Sequence, residues 1–350
     1  MRVLLGEISS YKAIVIARYI YMHYPDVTVI AYDKKPLIDV CHTKYVASYI
    51  HIRYDSIDSY ILRLAECVKQ NNIDVFLPVH SDYIGHFLQK KHLFGDSLNY
   101  MGEYENYIQL HEKNKLMQLA VKIGIRIPRD YSSIQEAKIP FVIKPTNLSS
   151  AKGVCYYTTE MQKSTVNVLP VNSICQEYIS GKGCGYEVYC KNGKIISEYG
   201  HMRLAEWPIS GGSSVLRKGF IHSDMRPIAE KILEYVPWTG FVMFEFKLTD
   251  DNQLVLIEVN PRIWGSINQA LQNDCPLFSA IIGAPKSVVY KGEVRTCLTP
   301  QVWMSMLLYL LKGKVDIIKD FLLHFKITYS DVSIWCDPRG VLSMLIRKLL

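Results

Sequence analysis

The chain has no paired-cysteine motif, no long apolar run, no block of like charge and no glycine-rich dinucleotide fingerprint, and each absence excludes a class of protein. Its nine cysteines are scattered, odd in number and never spaced as CxxC. That argues against a disulfide framework or a structural zinc site and for reduced thiols in a cytoplasm. The greasiest stretch, VWMSMLLYLL at 302–311, meets Lys312 and Lys314 far short of a membrane span. It reads as a helix packing on its own domain or on a second copy of the chain, so a homodimer is one expected assembly. The opening MRVLLGEISS lacks the basic and long apolar regions of a signal peptide. Within it LLGEIS lacks GxGxxG, so a dinucleotide is not indicated. Net charge is +7, yet no basic run exceeds two or three residues. Nucleic acid is therefore not the expected partner, whereas a multiply charged anionic cofactor would use the same surplus.

The chain of 350 residues is 49% apolar and 21% charged, which suits a soluble globular protein of two or three packed units. Its first hundred residues alternate strand and helix: RVLLG, YKAIVIARYIYMHY, VTVIAYD, YVASYIHI, IDSYILRLAECVKQNN and DVFLPV. That order predicts an open parallel sheet, with ligands beyond the strands' carboxyl ends, near Gly6–Ser10 and His80–Asp82. From about residue 104 the pattern changes to one long helix, NYIQLHEKNKLMQLAVKIG, followed by strands in hairpins. Asn192-Gly193 between alternating runs is a strong hairpin signal. The last sixty residues read as helical.

The stretch 256–266, LIEVNPRIWGS, carries Glu258, Asn260 and Arg262 at every second position, so they share one face of a strand. Pairing Asp250 opposite Gln253 across a two-residue turn sets Glu245 directly opposite Glu258. Opposed like charges are unfavourable and need compensation. A divalent cation held by both carboxylates and the Asn260 amide oxygen supplies it, with magnesium completed by phosphate oxygens as the common form. A solvated face, with the acids paired to Lys247 or Arg262, is the competing reading. Upstream, VIKPTNLSSAKGV ends an apolar strand in Lys144 and continues into a small-residue turn containing Ser149, Ser150 and Gly153. Such a turn lets backbone N–H groups approach phosphate oxygens, and an ordinary surface hairpin fits the same residues. Arg203 and the ISGGSS turn (209–214) are candidates for holding an anionic substrate group. An ion pair with Glu206 explains Arg203 equally well. His201 shares its strand face and reads as a polar surface histidine, and Trp264 as packing behind the acidic strand.

Taken together, these residues resemble the ATP-grasp superfamily over about residues 1–290. The signals come in order: a helix beginning EK, a strand ending in lysine-proline, a small-residue loop, a QEYI hinge, and an acid on one strand before ExNxR on the next. GHMRLAEWPISGGSSVLRK and FEFK…IEVNPRIWGS further resemble the branch described as predicted ATP-dependent carboligases, and the ATP-binding halves of carbamoyl phosphate synthase. The resemblance implies a mixed α/β and α+β chain. An open Rossmann-like α/β domain (1–103) would precede an ATP-grasp fold (104–290, small lobe to about 180, large lobe from about 181), with a helical C-terminal extension (291–350). It implies that Lys113 and Lys144 contact ATP phosphates beneath the Ser149–Gly153 loop. The backbone of Glu177 and Ile179 would bind adenine, leaving Tyr178 free to pack, and Glu187 would receive the ribose hydroxyls. Glu245, Glu258 and Asn260 would hold Mg2+ or Mn2+, and Arg262 would lie near the transferring phosphoryl group. The implied activity joins a small-molecule carboxylate to an amine through an acyl phosphate. A bicarbonate-using carboxylase and an ATP-binding regulator without chemistry are the alternatives.

Overall fold

The computed structural model describes residues 1–36, 42–79, 81–146, 153–209, 212–284 and 293–342. The first unit contains β1 (Arg2–Leu5), α1 (Tyr11–His23), β2 (Thr28–Asp33), β3 (Ser48–His51), α2 (Ile57–Gln70), β4 (Val75–Leu77) and α3 (Ile84–Gln89). Its strands pair in parallel in the order β3-β2-β1-β4. Strand order reverses at β1, and the loop leaving that strand is where ligands of open α/β sheets bind. The expected alternation stands.

Next come α4 (Tyr104–His111), α5 (Lys113–Lys122), β5 (Asp130–Tyr131), β6 (Phe141–Pro145), β7 (Cys155–Tyr157), α6 (Glu160–Lys163) and β8 (Ser173–Glu177). The four strands form a small sheet, β5-β8-β6-β7, with its own core of Tyr131, Ile134, Phe141, Ile143 and Cys175. The single long helix expected here is two, because Glu112 is extended (φ −75°, ψ 117°). No proline or glycine marks the break. The Lys113 N–H instead donates to the Thr146 carbonyl at the end of β6 (3.2 Å), so a contact distant in sequence turns the chain.

The remaining elements are β9 (Lys182–Lys191), β10 (Lys194–Trp207), β11 (Ser213–Gly219), α7 (Met225–Tyr235), β12 (Gly240–Leu248), β13 (Leu254–Asn260), α8 (Ile267–Gln272), α9 (Ser279–Ile282), β14 (Arg295–Cys297), α10 (Gln301–Leu311), α11 (Val315–Leu323) and β15 (Thr328–Ser330). They build a seven-stranded sheet, β13-β12-β9-β10-β11-β14-β15. Asn192 and Gly193, both at positive φ, close the β9–β10 hairpin as expected. One face of this sheet, with Tyr186, Val242, Phe244 and Leu256, shares a continuous core with α5, α7 and the first unit. Trp264 is fully buried and packs edge-on to Phe241, as the sequence led us to expect. No helix among the described residues is long and apolar enough to cross a membrane.

The last sixty residues are not helical alone, since β14 and β15 extend the large sheet. A buried polar knot fastens them. Arg217 on β11, with no exposed surface, pairs with Asp331 just past β15 and donates to Thr296 Oγ1 on β14 (2.9 Å). Asn268 of α8 donates to the other Asp331 oxygen (2.9 Å). Removing one partner of a buried pair leaves an uncompensated charge. Arg217→Met should therefore lower the unfolding free energy by roughly 3–5 kcal/mol in urea titration. A loss under about 1 kcal/mol would show that the knot does not hold the tail.

Candidate active site

A cleft of about 560 Å³ lies between the small sheet and one face of the large one. Ser10, Tyr11, Lys12 and Asp82 of the first unit line it as well. On its floor Glu245 of β12 stands opposite Glu258 of β13, the pairing expected from sequence. The route to that pairing differs. Thr249 N–H bonds to the Gln253 carbonyl, so the turn holds three residues, with Asn252 at φ 59°. A bulge at Ile257 then adds one residue to β13 and restores the register. The bulge turns consecutive residues, Ile257 and Glu258, toward the cleft. The Ile257 carbonyl accepts from Lys144 Nζ at 3.5 Å.

The row continues across the sheet. Glu245 is opposite Gly185 of β9, and Gly185 is opposite His201 of β10. A Cβ on Gly185 would lie 2.5 Å from His201 Cε1, and one on Gly183 would lie 3.0 Å from Arg203 Cδ. The two glycines leave β9 bare, so Arg203 reaches across it to pair with Glu245 and lies 3.6 Å from Glu206.

Charges on the floor are balanced. Lys113 Nζ is 3.4 Å from Glu258 Oε2. The Asn260 amide donates to Glu245 Oε1 (3.1 Å) and Glu258 Oε1 (2.9 Å), bridging the two acids as a cation would. Burial pushes Glu245 up, Arg203 opposes that, and Glu258 adds to it. Burial works against ionised Glu258 too, but Lys113, the Asn260 hydrogen bond, Lys144 and Arg262 outweigh it and hold this acid low. Burial lowers Lys144 to about 8 despite the pull of Glu258.

The expected residues largely converge. Lys113, Lys144, Glu177, Ile179, Arg203, Glu245, Glu258 and Arg262 line the cleft, and Asn260 touches both acids. Ser149 and Ser150 lie outside the described residues, as do His80 and the 210–211 part of the ISGGSS turn. Gly153 has φ 71° against Pro145 at the loop's base. The Glu177 N–H is taken by the Arg129 carbonyl (2.9 Å), which leaves its carbonyl as the group to offer a base. Tyr178 packs edge-on to Tyr156. Arg262 gives Nη2 to Asn260 Oδ1 (2.7 Å), while its Nε has no hydrogen-bond partner among the described residues.

Three expectations change. Glu187 is fully buried beneath His201 and does not line the cleft, so its carboxylate is not placed to receive ribose hydroxyls. His201 is 1% exposed rather than a surface residue, because the bare strand lets its ring lie down. Arg203 pairs with Glu245 and only approaches Glu206, while its Nε has no hydrogen-bond partner among the described residues. Sequence reasoning also missed Lys12, whose Nζ donates to the Val79 carbonyl (2.5 Å) and which burial, then Arg262, lowers to about 7. Its place in the first turn of the helix after β1 was the available signal.

Among the described residues no three His, Cys, Asp or Glu side chains could hold a metal on their own. Two carboxylates and an amide oxygen do form a hard-oxygen donor set that fits magnesium completed by phosphate. Asn260 would have to turn its amide to join it, since its oxygen now faces Arg262.

Phosphate oxygens favour the ammonium form of a lysine held at about 8. At about pH 8.5, where Lys144 is mostly neutral, ATP binding should take up a proton. Calorimetry in two buffers of different ionisation enthalpy reads this uptake, which Lys144→Met should abolish. Uptake unchanged in that variant would place the phosphates elsewhere.

Residues 110–266 match the family described as the ATP-grasp domain. Over 163 residues the chain is 25% identical to D-alanine–D-alanine ligase of Fusobacterium nucleatum subsp. nucleatum, an alignment covering 43% of this chain and 55% of the relative. It thus spans about half the length of that curated protein. A biotin carboxylase–β,γ-ATP complex from Campylobacter jejuni superposes with a TM-score of 0.66 at 14% identity, over 84% of this chain and 74% of that one. The biotin carboxylase domain dimer of Hydrogenobacter thermophilus 2-oxoglutarate carboxylase, in complex with MgADP, ADP and bicarbonate, gives 0.62 at 11% identity over 84% and 73%. At such identities these likenesses speak for the fold alone. Fold, element order and family match agree: the chain has the ATP-grasp fold, with residues 110–266 matching that domain.

Proposed function

We propose that the protein is an ATP-dependent, ADP-forming ligase that activates a small carboxylic acid as an acyl phosphate and joins it to an amine. The observation that carries this reading is the pair Glu245–Glu258, set with buried Lys113 and Lys144 on the floor of a ligand-sized cleft. A carboxylate attacks phosphorus only if charge on the γ-phosphoryl group is offset in a site closed to bulk water. Lys113, Lys144 and Arg262 are the cations that offset it here. Glu245, Glu258 and a turned Asn260 would hold Mg2+ or Mn2+, which supplies further neutralisation when bound. Apolar Val142, Val154, Ile179 and Phe246 at the cleft wall suit the flat face of an adenine. The ligase named above, similar over half its length, supports the carboxylate–amine class.

We also assign the chain to the cytoplasm, where the eight described cysteines, all free thiols, would stay reduced. Exposed Leu307, Leu311 and Leu323 of α10 and α11 favour self-association.

ADP release should appear in the presence of ATP, magnesium and a pool of amino acids and small carboxylates. Glu258→Gln and Asn260→Ala should each cut it by roughly a hundredfold or more, with thermal midpoints held close to the parent's. Turnover retained in both variants would refute the metal assignment. Release that needs bicarbonate and no organic acid would replace the ligase with a carboxylase.

A further inference from the structure

The amine must lose a proton as it attacks, and Lys113, Lys144 and Arg262 are needed as cations on the phosphates. We propose that His201, held by Glu187, receives this proton, so that its ring marks where the amine sits. The proposal rests on the ligase reading.

His201 is 1% exposed and Glu187 is fully buried, with Nδ1 2.9 Å from Glu187 Oε1. The Ser266 hydroxyl donates to that same oxygen (2.9 Å), which fixes the carboxylate from its far side. A carboxylate beside Nδ1 favours the tautomer with the proton there and leaves the lone pair on Nε2. Neither ring nitrogen has a hydrogen-bond partner among the described residues, so the approach of Nδ1 to Glu187 is an electrostatic contact; Nε2 is left to a ligand, and the ring lines the cleft. A buried polar atom left unmatched is costly, and one beside a ligand cavity is accounted for by a ligand.

Position supports the assignment. Glu245, Gly185 and His201 stand in one row, so two strand spacings, about 10 Å, separate the backbones of the acid and the imidazole. Gly185 contributes no side chain between them, and the His201 ring lies over it, leaning toward the acid. The nearby cations are otherwise engaged: Arg203 on Glu245, Lys113 on Glu258, and Lys144 on the Ile257 carbonyl. Lys12 is the rival acceptor, but its nitrogen is bonded to Val79 at the other wall.

The step balances. The amine nitrogen forms a bond to the acyl carbon, the carbon–oxygen bond to phosphate breaks, and phosphate leaves with the electron pair. The nitrogen's proton passes to Nε2, and the imidazolium so formed is stabilised by the Glu187 carboxylate until the proton goes to solvent.

Hydroxylamine, weakly basic and already unprotonated near neutral pH, traps an acyl phosphate without such help. The test supplies ATP, magnesium and a pool of common amino acids, with and without hydroxylamine. Mass spectrometry then gives the ratio of amide to hydroxamate product. His201→Gln should lower that ratio about a hundredfold, through kcat more than KM. Glu187→Gln, which keeps the shape but weakens the support, should lower it less, and serves if the first variant fails to fold. Equal loss of both products would overturn the proposal, because His201 would then act on ATP, the acid or the fold. An unchanged ratio would overturn it too, as would Lys12→Met producing the fall instead. Wild-type protein that forms no hydroxamate would remove the ligase reading and the role of His201 with it. Hydroxamate and amide both formed by the variants as by the wild type would remove only the latter.

Discussion

Two carboxylates facing each other across adjacent strands, Glu245 and Glu258, repel in a sheet that excludes most water, and much of the surrounding structure answers that repulsion. Lys113 arrives because the chain breaks at Glu112 and starts a new helix there. Lys144 finds an acceptor because the bulge at Ile257 frees a carbonyl from the ladder. Arg203 crosses a strand that has no side chain at Gly183 to reach its partner. Each of these local irregularities costs backbone regularity, and each brings a cation to the same few ångströms.

The small sheet contributes differently. Its core of Phe141, Ile143 and Cys175 is separate from the continuous one beneath the large sheet. It is therefore a unit in its own right, laid over the cleft and touching the floor through Lys144. The first unit, in contrast, shares its core with the large sheet, so Lys12 and Asp82 are presented to the cleft from a firm base.

The alternating start, the Asn192-Gly193 hairpin and the partnership of the two acids were readable because period, turn chemistry and charge each leave a mark in the chain. The opposition of Glu245 and Glu258 was inferred through a two-residue turn that is in fact longer, and the extra residue at Ile257 cancels the error. A bulge has no signature in composition, so only the outcome was legible. The break at Glu112 was hidden for a related reason: the residue that causes it, Thr146, lies on another element. Period two said that His201 and Arg203 share a face but not that the neighbouring strand is bare, which is what buries one and redirects the other. Strands of three residues, such as β14 and β15, fall below any pattern window.

Those two short strands alter what counts as the module that builds the cleft. The family match stops at residue 266, yet the floor of the cleft belongs to a sheet that continues through β14 and β15. A fragment trimmed to the matched segment would bare the outer rim of β11, a ready template for sticking to other chains. It would also take away Asp331 and Thr296, the partners of the Arg217 guanidinium. Any recombination that moves this cleft to a new protein therefore has to carry the tail along.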